Sequence, residues 1–326
     1  MNKIDFYASQ VQYYDHMIPI WEQLHENAKG VFYVSSEVKA LRPHSETKTD
    51  KPKGNLTLVA GWGDYRMIKG DIIYMEHGIG HTYVNDKGGI HTGYAGSLQK
   101  DRVVLFLNQH KITQQANLKV YPNTKQATIG TPKMDKYETQ KVKGRTVCFS
   151  FHWDCRVSPE SRSAFYYYKD EIKKLMRTNK YNIVIHAHPR LFGTWQKELK
   201  KFFRRELQLH QIKFINDFDQ VLELADVYVN DNSSTIFEFA LLDKPVIVLN
   251  CPLYRKDCAP SIRFWNYIPG LQVDNPQKLD AAILRTLDNP NEFAQQRADM
   301  RKTLYPYWHK SSKRAAKIIE DFLQCK

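Results

Sequence analysis

The chain has 326 residues, 42% of them hydrophobic, which argues against a disordered chain and, at roughly 100–200 residues per domain, suggests two domains. Its 48 basic and 35 acidic residues give a net charge of +13, which selects no fold but favours a polyanionic partner: nucleic acid, an anionic membrane, a phosphate polymer or a phosphorylated substrate. The five cysteines are odd in number and form no Cys-x-x-Cys pair, which argues against a disulfide framework or a zinc site and fits a reducing compartment.

In chain order, residues 13–28 read as a helix, with apolar positions at mixed spacings of three and four. Residues 31–34 read as a short buried strand, and the polar, proline-containing run 43–55 as a loop. Residues 56–60 form the next strand, ending in Gly61-Trp62-Gly63-Asp64. Residues 72–75 form another, ending in Glu76-His77-Gly78, and 103–107 and 127–129 follow in the same style. Residues 136–145 are polar and charged and read as a linker. The pattern then restarts, with strands over 147–151, 182–186, 212–215, 226–230 and 245–249 and helices over 161–177, 194–207, 218–225 and 234–242. Three helical stretches lie between 276 and 324. Short apolar runs between helices predict parallel sheets covered on both faces, an α/β class with two Rossmann-like domains facing across a cleft. The expected boundaries are 1–137 for the first domain, 138–145 for the linker and 146–305 for the second, with 306–326 a helix that packs back on the first. MNKIDFYASQ lacks a signal-peptide core and no apolar run approaches the ~20 residues that span a bilayer, so the expectation is a cytoplasmic protein, touching a membrane at most from one side.

Ligands of open parallel sheets bind beyond the carboxyl ends of the strands, which directs attention to the residues after each one. Asp231-Asn232-Ser233-Ser234-Thr235 joins a buried strand to a helix. Free N–H groups and small hydroxyls at a helix start suit a phosphate, and they equally suit simple capping. Glu238, one turn on, is placed either to accept ribose hydroxyls or to sit exposed on the helix. His186-Ala187-His188-Pro189-Arg190 puts a His and an Arg beside a stiff turn, a pattern that can neutralise a diphosphate; a two-histidine metal site lacks a third ligand nearby. After residues 72–75, His77 is suited to take a proton from a hydroxyl near neutral pH, with Glu76 orienting it or acting as base itself. Asp64, Lys133, His152, Arg255 and Arg263 also follow strands and are candidate acceptor or phosphate contacts, ordinary packing being the alternative. Residues 194–207 form a basic amphipathic helix that fits either an anionic surface or the outer layer of the domain.

Four of these motifs occur in an order that resembles the CDP-glycerol glycerophosphotransferase family of teichoic acid synthesis, which has a GT-B fold. They are His77-Gly78, Gly130-Thr131-Pro132-Lys133-Met134-Asp135, His188-Pro189, and Asp231 to Ser234 followed by Phe237-Glu238-Phe239-Ala240 and Lys244-Pro245. After His77-Gly78 the chain reads Ile79-Gly80-His81-Thr82, where those enzymes usually carry Thr-Pro-Leu-Lys. The two-lobe pattern is also similar to that of UDP-N-acetylglucosamine 2-epimerases. Glu76-His77-Gly78-Ile79-Gly80, Phe151-His152-Trp153-Asp154-Cys155 and Pro252-x-Tyr254-Arg255 with Arg263-Phe264-Trp265 resemble phage and actinobacterial proteins described as glycosyltransferases or glycerophosphotransferases.

The resemblance implies a transferase that uses a UDP- or CDP-linked donor as co-substrate, with no further cofactor and no metal. It implies that Asn232, Ser233, Ser234 and Thr235, helped by His188 and Arg190, hold the donor diphosphate in the second domain, with Glu238 on the ribose. It places the acceptor on the first domain, with His77 and Glu76 as the catalytic pair. The first expectation is glycosyl transfer to a hydroxyl on a polyanion such as phage-type hydroxymethylated DNA. Glycerophosphate transfer to a cell-wall phosphate polymer and non-hydrolysing epimerisation of UDP-N-acetylglucosamine are the alternatives.

Overall fold

The computed structural model describes residues 2–54, 56–79, 82–84, 90–92, 102–152, 154, 159, 162–187, 194–210, 212–254 and 268–325. The chain forms two compact units, one from Met1–Tyr83, Gly88–Tyr137 and Lys302–Lys326, the other from Val84–Lys87 and Glu138–Arg301.

In the first unit the strands are β1 (Ile4–Ala8), β2 (Lys29–Val34), β3 (Thr47–Lys48), β4 (Thr57–Val59) and β5 (Ile72–Met75). A separate two-stranded sheet of β6 (Thr82–Val84) and β7 (Ile90–Thr92) follows, then β8 (Val103–Asn108) and β9 (Lys125–Thr128). The main sheet has the order β3-β2-β1-β4-β5-β8-β9, and every pair in it is parallel. Its helices are α1 (Val11–Gln23), α2 (Ser36–Leu41), α3 (Trp62–Met67) and α4 (Lys111–Val120). Side chains alternate across a strand. Phe6, Leu58, Ile73, Met75, Leu105 and Leu107 therefore pack on one face, and Tyr7, Val59, Ile72, Tyr74 and Phe106 on the other. On the first face the Phe6 ring lies 5.1 Å from Trp21 and 5.4 Å from Phe32, both edge-on.

The second unit opens with β10 (Thr146–Phe151) and α5 (Phe165–Met176) and continues through β11 (Asn182–Ala187), α6 (Thr194–Phe202), α7 (Arg204–Leu209) and β12 (Lys213–Ile215). After α8 (Phe218–Leu224) come β13 (Val227–Asn230), α9 (Thr235–Leu241), β14 (Val246–Leu249), β15 (Leu271–Val273) and α10 (Leu279–Asp288). The sheet order is β12-β11-β10-β13-β14-β15, parallel throughout, which is the doubly wound order 3-2-1-4-5-6. Val147 and Phe149 pair with Ile183 and Ile185 on one side and with Val227 and Val229 on the other. The central strands are thus apolar runs buried on both faces, as a covered parallel sheet requires.

α11 (Ala294–Leu304) and α12 (Ser311–Gln324) end the chain. α12 buries Ala315, Ala316, Ile319, Phe322 and Leu323, a stripe at helical spacing, in the core of the first unit. Its start is held by Asp135, whose Oδ1 accepts the Ser311 N–H (3.1 Å) and whose Oδ2 accepts the Ser312 N–H (2.7 Å) and hydroxyl (2.6 Å). Gly130 lies against the same helix start with φ +91°, and a Cβ there would sit 2.2 Å from the Ser311 Oγ. The motif from Gly130 to Asp135 is therefore a clamp for α12, and Lys133 is nine-tenths buried within it. Two further differences from the sequence-based expectation concern helices: 194–207 is two helices interrupted at the buried Phe203, and 161–177 begins only at Phe165. Among the described residues no helix is long and apolar enough to cross a membrane.

Removing the Asp135 carboxylate unties three donors at the first turn of α12. Asp135→Ala is expected to lower stability by about 1–2 kcal/mol, read as the urea midpoint of the whole chain.

Candidate functional site

In the first unit the carboxyl ends of β4 and β5 bring together Ala60, Gly61, Glu76 and His77. The His77 Nδ1 lies 2.8 Å from the Ala60 carbonyl oxygen. A carbonyl only accepts, so Nδ1 carries the proton and the lone pair of the neutral ring is on Nε2. The Tyr13 ring packs edge-on against the imidazole, 4.6 Å between centroids. Tyr13 also lies so close to Gly61 that a Cβ there would fall 2.4 Å from its ring, so a glycine is needed for Tyr13 to reach His77.

The neighbouring acids play other parts. Glu76 is buried, and burial pushes its pKa up to about 8. At neutral pH it is a carboxylic acid, a proton donor and not an acceptor. Asp64 has no exposed surface, and its carboxylate is taken up by Ser9, whose N–H donates to Oδ2 at 2.9 Å and whose hydroxyl donates to Oδ1. Burial pushes it to about 7 against the pull of those two bonds. Asp64 thus ties the loop after β1 to α3 and is not a surface contact for an acceptor. Lys133, in the α12 clamp, is likewise part of the frame.

In the second unit the switch of strand order falls between β10 and β13, and Asp231 sits there fully buried. Its Oδ1 accepts the N–H groups of His152 and Asn232, both at 2.8 Å. Its Oδ2 accepts the Ser163 hydroxyl at 3.0 Å and the N–H of Ala164, the N-cap residue of α5, at 2.9 Å. One carboxylate therefore fills the anion position at the start of α5 and fixes the loops after both strands. His152 enters the site through its backbone. Asn232 donates from Nδ2 to the Arg162 carbonyl at 2.7 Å, and the Tyr254 hydroxyl donates to the same oxygen at 2.6 Å.

Beneath the turn runs a directed relay. Asn230 Nδ2 donates to the Tyr228 hydroxyl (3.1 Å), and Thr235 spends its single proton on Ser233 Oγ (2.9 Å), so the bond between Tyr228 and Thr235 Oγ1 (2.8 Å) is donated by Tyr228. Ser233 receives this bond and its own proton remains to be donated. The Thr235 hydroxyl is committed inward, so of the hydroxyls expected to hold phosphate, Ser233 and Ser234 are the ones the geometry leaves for it. Ser234 occupies the N-cap position of α9 without a side-chain capping bond, and the capping contact of Ser233 with the Thr235 N–H is long, at 3.4 Å. The turn's own N–H groups are met from within it: Asn230 Oδ1 accepts the Ser233 N–H at 3.0 Å and Asp231 Oδ1 that of Asn232 at 2.8 Å. Glu238 is buried in the first turn of α9, only 3% exposed. His186 is held by Ser150, Oγ to Nδ1 2.8 Å, and among the described residues no group of three or more possible ligands could hold a metal. His188, Arg190, Arg255 and Arg263 lie outside the described residues.

A family model described as CDP-glycerol:poly(glycerophosphate) glycerophosphotransferase matches residues 156–321, just over half of the chain. The chain belongs to this glycerophosphotransferase family. It is a transferase. Solved structures agree with the fold. The S. aureus MnaA–UDP structure aligns with TM-score 0.67 at 14% identity, covering 100% of this chain and 98% of that one. The wall teichoic acid polymerase TagF aligns with TM-score 0.64 at 14% identity, covering 99% and 89%. A Listeria monocytogenes protein assigned as a UDP-N-acetylglucosamine 2-epimerase aligns with TM-score 0.64 at 12% identity, covering 99% and 97%. No curated protein matches the chain by sequence. The glycerophosphotransferase chain thus has the GT-B class of fold, two parallel-sheet α/β units.

Sequence reasoning passed over Tyr13, Arg162, Tyr228 and Asn230, and placed Tyr254 only in a loop suited either to phosphate and ring contacts or to packing. The signal at hand for Arg162 was position, since it follows a strand of the second unit.

Glu76 supplies a pH test. The native chain holds its proton up to about pH 8, whereas an unfolded glutamate loses it near 4.5. The unfolded state therefore binds fewer protons across that window, and stability falls as pH rises through it. Glu76→Gln removes the titration, so its advantage over wild type in urea midpoint is expected to grow from pH 5 to pH 8.5. A constant difference would show that Glu76 is ionised in the native chain.

Proposed function

We propose that the chain transfers a phosphoglycerol-type group from a CDP-linked donor to a hydroxyl of a phosphate-containing polymer. The observation that carries this reading is the imidazole of His77, held by the Ala60 carbonyl in the tautomer a general base needs, in a chain of a glycerophosphotransferase family. Nε2 takes the proton of the attacking hydroxyl. The hydroxyl oxygen forms a new bond to the β-phosphorus of the donor, and the bond from that phosphorus to the bridging oxygen breaks. CMP leaves with the electron pair. The Ser233 and Ser234 hydroxyls meet the charge of the donor phosphates, and Tyr13 keeps the imidazole from turning away.

The net charge of +13 suits a polyanionic acceptor. Family membership favours a phosphate polymer over hydroxymethylated DNA, and phosphoglycerol over a sugar. A fold shared with a UDP-N-acetylglucosamine 2-epimerase at 12% identity does not by itself favour epimerisation.

His77→Ala is expected to lower CMP release from CDP-glycerol by about 10²- to 10⁴-fold. The affinity for CDP should stay within about twofold of wild type. A variant that turns over at the wild-type rate removes His77 from the mechanism.

A further inference from the structure

The loop between β10 and α5 carries a cation that the proposed mechanism has not used. Arg162 lies at the carboxyl end of the sheet, beside the point where strand order reverses, which is where doubly wound sheets take their ligands. Its backbone is fixed from two sides, because the Asn232 side chain and the Tyr254 hydroxyl both donate to its carbonyl oxygen. Asn232 is the residue immediately before Ser233, so Arg162, 70 positions earlier, is bonded to the turn that presents the two available hydroxyls. The flanking residues are fixed as well: Ser163 and Ala164 both donate to Asp231.

The side chain is held far less than the backbone. Among the described residues the guanidinium makes one hydrogen bond, from Nε to Asp154 Oδ1 at 2.6 Å. The side chain remains 35% exposed. The two terminal nitrogens carry four N–H donors in a planar fork, the geometry that matches two oxygens of a phosphate. The same Asp154 Oδ1 also accepts the Ser163 N–H at 3.2 Å, so the carboxylate holds the loop as well as the guanidinium, a role that Asp154→Asn keeps through its amide oxygen. Asp154 also suits the part of a counter-ion that aims the fork while no anion is present.

We propose that Arg162 binds the diphosphate of the donor, with Asp154 as its resting counter-ion. This rests on the reading of the second unit as the site of a nucleoside diphosphate-linked donor. The ligand class is a nucleoside diphosphate or its esters, recognised through phosphate oxygens and not through the base. Ser233 and Ser234 donate neutral hydrogen bonds to the group, and Arg162 adds the charge-assisted pair.

The test is calorimetric titration of the full chain with CDP and UDP, and with cytidine and uridine, for wild type, Arg162→Gln, Arg162→Lys and Asp154→Asn. Arg162→Gln is expected to weaken binding of the preferred diphosphate by about 10- to 100-fold. Its affinity for the matching nucleoside and its urea midpoint should stay near wild type. Arg162→Lys should recover part of the loss, and Asp154→Asn should bind the diphosphate at least as tightly as wild type. Undiminished diphosphate binding by Arg162→Gln overturns the assignment, and so does an equal loss for diphosphate and nucleoside. If Arg162→Gln does not fold, Arg162→Lys and Asp154→Asn decide: weaker diphosphate binding by Asp154→Asn marks the pair as structural and overturns the proposal. If wild type binds neither CDP nor UDP, the donor reading itself fails and takes this assignment with it.

Discussion

The carboxylate of Asp231 is the constraint on which the second unit turns. It is fully buried and accepts four hydrogen bonds from three separate stretches of backbone. A buried charge without partners costs several kcal/mol, and here every partner is supplied by the loops that must be held. The loop after β10, the start of α5 and the turn after β13 are therefore set by one side chain. The N-cap N–H of α5 is thereby taken by a protein carboxylate, and the next turn, Asn232 to Thr235, is fixed in place. The relay from Asn230 through Tyr228 and Thr235 then orders the hydroxyl protons, so that Ser233 is left as a donor.

The first unit solves the same problem with the same device. Asp64, also fully buried, binds the N–H and hydroxyl of Ser9 and so fixes the loop after β1 at the corresponding change of strand order. What differs is the group presented beside it. The second unit presents hydroxyls and N–H groups that suit phosphate oxygens. The first presents an imidazole whose tautomer is chosen by a backbone carbonyl.

Much of the fold was legible because the central strands of covered parallel sheets are continuous apolar runs. Residues 147–151, 182–186 and 246–249 are strands for that reason. β1 escaped notice although it is an interior strand of its sheet. Asp5 interrupts its apolar run, and that carboxylate is buried because it accepts the Val31 N–H at 2.8 Å, a partner no local pattern reveals. β15 is short and carries the exposed Gln272, as an edge strand can. The site was legible as positions and less so as roles. The turn 231–235 and His77 stand out because they follow buried strands. That Asp231, Asp64 and Thr235 spend their polar atoms inside the protein depends on partners such as Ser163, Ser9 and Tyr228, some of them tens of residues away. Arg162 was hidden in a predicted helix that begins three residues later, at Phe165.

The proposed reaction is a group transfer in which CMP is released only as an acceptor is extended. Phosphorus NMR of the full chain with CDP-glycerol and a short poly(glycerol phosphate) follows both products at once. The account predicts CMP and new phosphodiester in equal amounts, with neither formed when the acceptor is left out. Absence of both products, or isomerisation of UDP-N-acetylglucosamine supplied alone, would contradict it.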